Sequence, residues 1–171
     1  METVLISLLC IALIVFGGMT MSQGFMTSVD ASTTGLEEIG QRDENIMRTE
    51  ITPVGASLPA NNTLELTLQN SGQTKLADYD KWDIFVHYYD AGGNYHTRWL
   101  PYTTGTLNDN EWEVTGIELN GSPEIFEPNV LNPEEQMTIQ AQLNPAVGNN
   151  TTNMVVVATP SGVTASTYFS P

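Results

Sequence analysis

His87 and His96 are the side chains of this sequence that could bind a metal or carry a proton near neutral pH. They are its only histidines, and its one cysteine, Cys10, lies far away in an apolar segment. Closed zinc sites use about four ligands. Two histidines without a cysteine partner therefore favour ordinary strand residues over a metal site, and we expect both to lie on the surface or at the edge of a core.

Oxygen-bearing side chains are grouped at three other places. Asp78, Asp80 and Asp83 form one group, residues 108–111 (Asn-Asp-Asn-Glu) a second, and Glu134–Glu135 an acid pair. Calcium collects about six to eight oxygen ligands, and neither loop group has the spacing of a complete calcium loop. The sequence also lacks a glycine-rich phosphate loop, a nucleophile elbow and an H-E-x-x-H motif. We therefore predict no catalytic residue, no metal and no cofactor.

The composition restricts the classes of protein further. The chain has 171 residues, with five basic against twenty acidic side chains and a formal net charge of −15. A charge of this sign opposes binding to phosphate backbones, so we expect no nucleic-acid partner. Hydrophobic residues make up 40 % and charged residues 15 % of the chain, unlike a disordered polyelectrolyte. A single cysteine allows no intrachain disulfide.

The amino-terminal segment is apolar without interruption. Between Glu2 and Asp30 there is no charged side chain, and Val4 to Phe16 is almost entirely aliphatic, which predicts a helix that does not face water. A helix from Thr3 to Val29 would be about 40 Å long, enough to cross a bilayer. A secretory signal peptide needs a basic start and a small-residue cleavage site. The sequence has neither, so we expect this segment to be retained.

An amphipathic pattern continues beyond the apolar segment. Val29, Leu36, Ile39 and Ile46 lie on one heptad-like stripe, and Pro53 prevents a helix from continuing past about Glu50. One helix over this whole length would measure about 70 Å, more than a small head could cover. We predict two parts, residues 1–51 as the helix and residues 52–171 as a head domain, and the helix must pack against something other than its own head.

The head alternates with a period of two residues, which is typical of half-buried strands. Leu64, Leu66 and Leu68 alternate with polar residues, and residues 90–94 (Asp-Ala-Gly-Gly-Asn) predict a hairpin turn. We predict an antiparallel immunoglobulin-like β-sandwich of about seven strands, giving an α+β chain. The first predicted strand begins at Thr63. The other six span residues 83–89, 95–100, 112–119, 137–143, 154–159 and 163–169.

Two surface features leave their function open. Nine of the fourteen aromatic residues lie between Tyr79 and Trp112. They could form a carbohydrate-binding platform, or they could supply the sandwich core and contacts between subunits. Sequons for N-glycosylation occur at four asparagines, and Pro123 weakens the second of them. These asparagines are Asn61, Asn120, Asn149 and Asn150.

Four stretches of the chain resemble archaellins, the filament subunits of the archaeal motility organelle. They are residues 1–25 (METVLISLLCIALIVFGGMTMSQGF), 81–102 (KWDIFVHYYDAGGNYHTRWLPY), 110–137 (NEWEVTGIELNGSPEIFEPNVLNPEEQM) and 155–169 (VVVATPSGVTASTYF). Archaellins share their amino-terminal design with type IV pilins. Precursors in these families carry a short basic leader before the apolar segment, which this sequence does not include.

The resemblance implies a homopolymer in which the helices bundle as a filament core and the heads lie outside. It implies transient residence in the membrane, assembly by an archaellum or type IV pilus-like membrane platform and motor, and an extracellular filament at the cell surface that serves swimming. An adhesive type IV pilin and a membrane-retained accessory protein of the archaellum are the alternatives. The residues expected in the bundle are Glu2, Val4, Leu5, Leu8, Leu9, Ile11, Leu13, Ile14, Val15, Phe16, Phe25, Val29, Leu36 and Ile39.

Glu2 is a candidate for a charge pair between subunits, because an early glutamate in type IV pilins is thought to compensate a neighbour's terminal amine. The alternative is a solvated acid that the helix dipole favours. Burying an unpaired carboxylate is costly, so pairing of Glu2 with Met1 of an adjacent subunit would make the charge essential. We expect Glu2→Gln to lower the yield of filaments pelleted from sheared cells. A normal yield would exclude the pairing.

Overall fold

The computed structural model describes residues 2–171, and the side chain of Glu2 and all of Met1 lie outside the described residues. The role expected for Glu2 therefore falls outside them as well. The chain divides into two compact units, Met1–Asp43 and Glu44–Pro171, which are described separately below.

The first element is one continuous helix, α1 (Glu2–Arg48). It passes through Gly17, Gly18 and Gly24 without a break. At about 1.5 Å per residue, its 47 residues are about 70 Å long. The helix ends two residues before the predicted position, and the Thr49 hydroxyl donates a hydrogen bond of 2.7 Å to the carbonyl of Asn45 in the last turn.

The head is an antiparallel β-sandwich, as predicted, and the chain has the predicted α+β class. One sheet has five strands in the order β1-β2-β7-β5-β6, and the other has four in the order β4-β3-β8-β9. A short 3₁₀ helix spans Tyr79–Lys81. The strands are β1 (Ile51–Ala60), β2 (Thr63–Asn70), β3 (Asp83–Tyr89), β4 (Tyr95–Leu100), β5 (Trp112–Leu119), β6 (Ser122–Pro123), β7 (Gln136–Gln142), β8 (Asn153–Ala158) and β9 (Thr164–Phe169).

The core lies between the two sheets and follows from the two-residue alternation along the strands. In β2, Leu64, Leu66 and Leu68 are buried, and Leu66 pairs with the equally buried Ile139 of β7. The four-stranded sheet contributes the inward residues of β3 and β8. Since the head has no disulfide, this packed apolar layer supplies its stability. Its other large members include Ile84, Val86, Tyr88, Trp112, Met137, Val155 and Val157.

Strand β1 was not predicted, and its sequence explains why. It contains Pro53, Gly55 and Pro59, which disfavour a regular strand interior. Proline is tolerated at the edge of a sheet, and β1 is the outermost strand beside β2. Its pairing with β2 shifts register twice, between Pro53 and Gly55 and between Ser57 and Ala60, as β-bulges do at sheet edges.

The β3–β4 hairpin is organised by the carboxylate of Asp90. One of its oxygens accepts hydrogen bonds from the backbone amides of Gly92 and Asn94, at 2.8 and 2.9 Å. The other lies 2.9 Å from Nε2 of His96. Gly93 has φ of 78°, the left-handed conformation that glycine adopts without a steric penalty. The predicted turn at residues 90–94 is confirmed, and its carboxylate closes it.

A second loop is anchored on the same turn. Asp90 and Val147 form an isolated bridge, and the amide of Gly148 donates a 2.8 Å hydrogen bond to the carbonyl of Tyr89. A Cβ at position 148 would clash with the carbonyl oxygen of Asp90, so only glycine fits this close approach. The hairpin therefore holds the loop that precedes β8.

This turn predicts a pH-dependent effect of Asp90→Ala. The hydrogen bond from His96, with those from Asn94 and Gly92, holds the pKa of the Asp90 carboxyl well below its ordinary value of 3.8. A lowered folded-state pKa stabilises the fold fully above the ordinary value, and this contribution is lost as pH falls through the folded-state value. We expect Asp90→Ala to lower the urea midpoint of the full chain in detergent at pH 7, and the deficit to shrink steadily below pH 3.8.

Glu118→Ala is the matched control, because Glu118 is an exposed acid on β5. Exposed substitutions of this kind usually change stability by less than about 0.5 kcal/mol. An Asp90→Ala deficit that stays constant between pH 7 and the acid limit would contradict the role assigned to the carboxylate.

Candidate functional site

The bundle residues expected on α1, apart from Glu2, are exposed along the helix. Between Val4 and Phe16 the large apolar side chains have 56 to 74 % of their surface exposed, and Phe25, Leu36 and Ile39 are comparably open. By length and composition this helix could also cross a membrane. Soluble monomers rarely expose contiguous apolar surface beyond a few hundred Å², so a surface of this extent indicates a binding site.

Six hydroxyl groups of α1 are hydrogen-bonded within the helix. The hydroxyls of Ser7 and Thr20 donate to main-chain carbonyls three and four residues earlier, at 2.9 to 3.2 Å. Four further hydroxyls donate to the carbonyl four residues earlier. Burying a hydroxyl is costly only when it lacks a partner, so these residues can enter an apolar environment at little cost. The four are Thr27, Ser32, Thr33 and Thr34.

The register of the hairpin separates the two histidines. His87 lies opposite Thr97 on the outer side of the sheet, whereas His96 lies opposite the buried Tyr88. The His96 and Tyr88 rings stack with centroids 5.2 Å apart. Side chains on opposite faces of a sheet cannot ligate one ion together, and each histidine has a structural partner instead.

The oxygen-rich loops use their side chains for contacts within the head. Asp78 pairs with Lys81 at 2.7 Å. Asp109 accepts a 2.6 Å hydrogen bond from the side chain of Asn144, and Glu111 accepts one of 3.1 Å from the amide of Asn108. Among the described residues, no group of three or more histidine, cysteine or acidic side chains is arranged to hold a metal ion.

The acid pair Glu134–Glu135 is divided by the fold. Glu134 is exposed in a left-handed turn, with φ of 72°. Glu135 is buried and accepts a 2.7 Å hydrogen bond from the amide of Asn132. Burial raises the pKa of the Glu135 carboxyl, and the nearby Glu124 raises it further. Glu135 therefore closes the turn before β7, and no cleft brings the pair together.

The aromatic residues divide between the core and the surface, which their density in the sequence could not reveal. Tyr79, Trp82, Tyr88 and Trp112 are buried and Tyr102 is half-buried. The other four are exposed on the hairpin β3–β4. The strand register separates the two groups, because alternate residues of β3 face opposite sides of the sheet. The exposed four are Phe85, Tyr89, Tyr95 and Trp99.

All four sequon asparagines lie exposed in turns. Asn61 and Asn149 are joined by a 3.2 Å hydrogen bond, and Asn150 follows with φ of 59°. These three lie at the end of the sandwich where β1 finishes, away from the start of β1 at Ile51. Asn120 is in the tight β5–β6 turn.

Three solved structures that resemble this chain are archaellum proteins. FlaG, an archaellum periplasmic stator protein of Sulfolobus acidocaldarius, matches at 21 % identity with a TM-score of 0.52, over 71 % of this chain and 99 % of that chain. The FlaF and FlaG stator complex of the same organism gives the same identity, score and share of this chain, and 89 % of that chain. The archaeal flagellum of Methanospirillum hungatei matches at 12 % identity with a TM-score of 0.51, over 99 % of this chain and 90 % of that chain.

The two FlaG matches cover part of this chain, whereas the flagellum match covers nearly all of it. No curated protein sequence matches this chain. The family model for archaeal-type flagellin matches residues 3–169, which include the apolar helix and all nine strands. The chain belongs to the archaeal-type flagellin family.

Proposed function

We propose that this flagellin is the major subunit of an archaellum used for swimming, and that α1 bundles with copies of itself to form the filament core. As an archaeal-type flagellin the chain is a subunit of an extracellular filament at the cell surface, and the family is a structural one. The observation that carries the bundle is the unbroken helix with exposed apolar side chains on all sides.

The energetics favour a bundle of identical helices. Burying one large aliphatic side chain contributes about 1.5–3 kcal/mol. The roughly ten such residues between Val4 and Phe16 would then contribute tens of kcal/mol per subunit, as an upper bound. Only neighbours of similar length can cover a helix of about 70 Å. The filament would therefore resist dissociation in water.

Before assembly, the same helix requires another apolar environment. We infer transient residence in the membrane, because α1 is long and apolar enough to cross a bilayer. A membrane platform and motor of the archaellum or type IV pilus kind would transfer each subunit from lipid into the growing bundle. The internal bonding of six helix hydroxyls supports this step, since these groups need no new partner on leaving the lipid.

Substitution of two glycines tests the bundle separately from membrane residence. A Cβ at Gly17 or Gly18 would meet no atom of the same chain within 4 Å. Leucine is also a better helix former than glycine and is compatible with lipid. We expect the double variant Gly17→Leu/Gly18→Leu to remain in the membrane fraction but to yield at least about tenfold less sheared filament, because close helix packing needs small residues.

The matched control is Met19→Leu/Met21→Leu, which replaces neighbouring side chains of similar volume on the same exposed stretch. Its filament yield should equal that of the parent chain. Full assembly of the glycine double variant would contradict helix bundling at this position.

A membrane-retained accessory protein is the second candidate, since the head has the fold of the FlaG stator protein. The abundance of this chain in sheared filaments distinguishes a major subunit from an accessory protein. A major subunit would form most of the protein in filaments sheared from cells, as seen by gel and electron microscopy, whereas an accessory protein would stay with the membranes. Recovery of this chain in the membranes alone would favour the accessory role.

For glycosylation, we propose Asn150 as the principal acceptor. Asn150 is exposed in a turn, and the sequon residue Thr152 is exposed two residues later, so an attached sugar would stay in solvent. The hydroxyl of Thr151, which completes the Asn149 sequon, is half-buried and donates a 2.6 Å hydrogen bond to the carbonyl of Gly148. We expect mass spectrometry of peptides covering residues 144–153 to show added sugar mass that Asn150→Gln removes.

Asn149→Gln is the control for this prediction, because it leaves the Asn150-Thr151-Thr152 sequon intact. Sugar that persists in the Asn150→Gln variant and disappears in the Asn149→Gln variant would contradict the assignment.

A further inference from the structure

The outer sides of the two sheets have different chemistry. On the four-stranded sheet, the exposed side chains are mostly aromatic. We call this surface the aromatic face and define it by Phe85, His87, Tyr89, Tyr95, Trp99 and Tyr168. On the five-stranded sheet the corresponding positions are polar, as in Glu65, Thr67 and Gln69 of β2. Ordinary solvation explains the second surface but not the first.

The strand register brings the aromatic face together. Phe85 pairs with Trp99 on one side and with Val156 on the other. Tyr89 pairs with Tyr95, and their ring centroids are 5.1 Å apart. Directly opposite residues in antiparallel strands lie on the same side of a sheet. The rows therefore form one surface that crosses all four strands.

These rings are open to solvent in the single chain. Phe85 has 36 % of its surface exposed, Trp99 53 % and Tyr168 69 %. Four strands at a spacing of about 4.8 Å make the surface roughly 15 Å wide. A contiguous apolar patch of this kind on a soluble domain usually marks an interaction site. Tyrosine and tryptophan are also the residues enriched at protein interfaces.

Three side chains of the aromatic face, Trp99, His87 and Tyr95, are held by hydrogen bonds within the sheet. The indole nitrogen of Trp99 donates a 2.8 Å hydrogen bond to Asp83. Nδ1 of His87 lies 3.1 Å from both the Tyr95 hydroxyl and Oγ1 of Thr97. These bonds fix the side chains before any partner arrives, which reduces the entropy lost on binding. They also occupy groups that a carbohydrate would need for its own hydrogen bonds.

Charge indicates which partner this surface fits. Residues 52–171 carry thirteen acidic and three basic side chains, so identical heads repel one another over most of their surface. None of the six residues of the aromatic face carries a carboxylate, and that of Asp83 beside it is already bonded to Trp99. A surface with so little charge lets two acidic copies approach without strong repulsion.

We propose that the aromatic face is the contact through which each head docks on the head of a neighbouring copy in the filament. The inference rests on the proposed filament function. The neighbour contributes a different part of its surface, because a contact between two identical patches closes into a two-fold dimer, whereas a contact between unlike patches continues into a helical polymer. The heads thus add a second set of contacts outside the helix core.

Thiol accessibility tests the contact in assembled filaments. In a Cys10→Ser background, Tyr168→Cys or Tyr89→Cys places one thiol on the aromatic face, and Thr104→Cys places one in the exposed β4–β5 loop. Each is treated with a bulky maleimide in intact filaments and after dissociation in detergent. We expect the two face thiols to react roughly tenfold or more slowly in filaments than in dissociated subunits, because interface cores exclude solvent. The loop thiol should react at similar rates in both.

Four other results of the thiol experiment would each decide between these possibilities. Equal reactivity of the face and loop thiols in filaments would overturn the contact. Face thiols that are open in filaments but protected by added dextran would overturn it in favour of a carbohydrate site. Loss of filaments in both face variants, with the loop variant assembled and the face variants unfolding at the parent's temperature, would support it. Absence of filaments from the parent chain itself would refute the filament function instead.

Discussion

The chain is built around a helix that it cannot cover with its own residues. A segment from Val4 to Phe16 that is aliphatic on every side has no stable place in water, and 47 continuous helical residues extend it far beyond what one small domain could bury. Membership of a filament family agrees with this constraint, because a polymer supplies copies of the same helix. In the proposed function, lipid before assembly and neighbouring helices after assembly would both shield α1 from water.

The head satisfies the opposite requirement, because it has to be stable alone in water. Its core is closed by alternating residues of two sheets, with no disulfide, and its turns are held by local carboxylates such as Asp90 and Glu135. In the sequence, several acidic residues of the head resemble candidate metal ligands or catalytic groups. In the structure they stabilise turns and loops through hydrogen bonds. The acidic surface that remains keeps the domain soluble but opposes contact between copies, so neutral surface becomes valuable for association.

The sequence pattern predicted those features of the fold that depend on local sequence, such as strand bounds. The bounds of β3, β4 and β5 agree with the expected ones, and the turn at residues 90–94 fixes where β3 ends and β4 begins. Strand β1 could not be predicted, since Pro53 and Pro59 are acceptable only when a strand lies at a sheet edge, which is a tertiary fact. The division of the aromatic residues between core and surface could not be predicted either. Tyr88 and Tyr89 are adjacent in the sequence, and only the position of β3 in the sandwich decides which of the two faces the core. The assembly role expected for the helix residues stays a prediction.

The hydroxyls of α1 that bond to carbonyls of the same helix affect its partition between the lipid bilayer and a helix bundle. Because these six hydroxyls keep the same hydrogen bonds in lipid and in a protein bundle, they favour neither environment, and the packing of the apolar side chains becomes more important for the partition of the helix. Extraction from the bilayer then requires little work against hydrogen bonding. Growth of the polymer would then depend on how closely the apolar side chains of neighbouring helices pack.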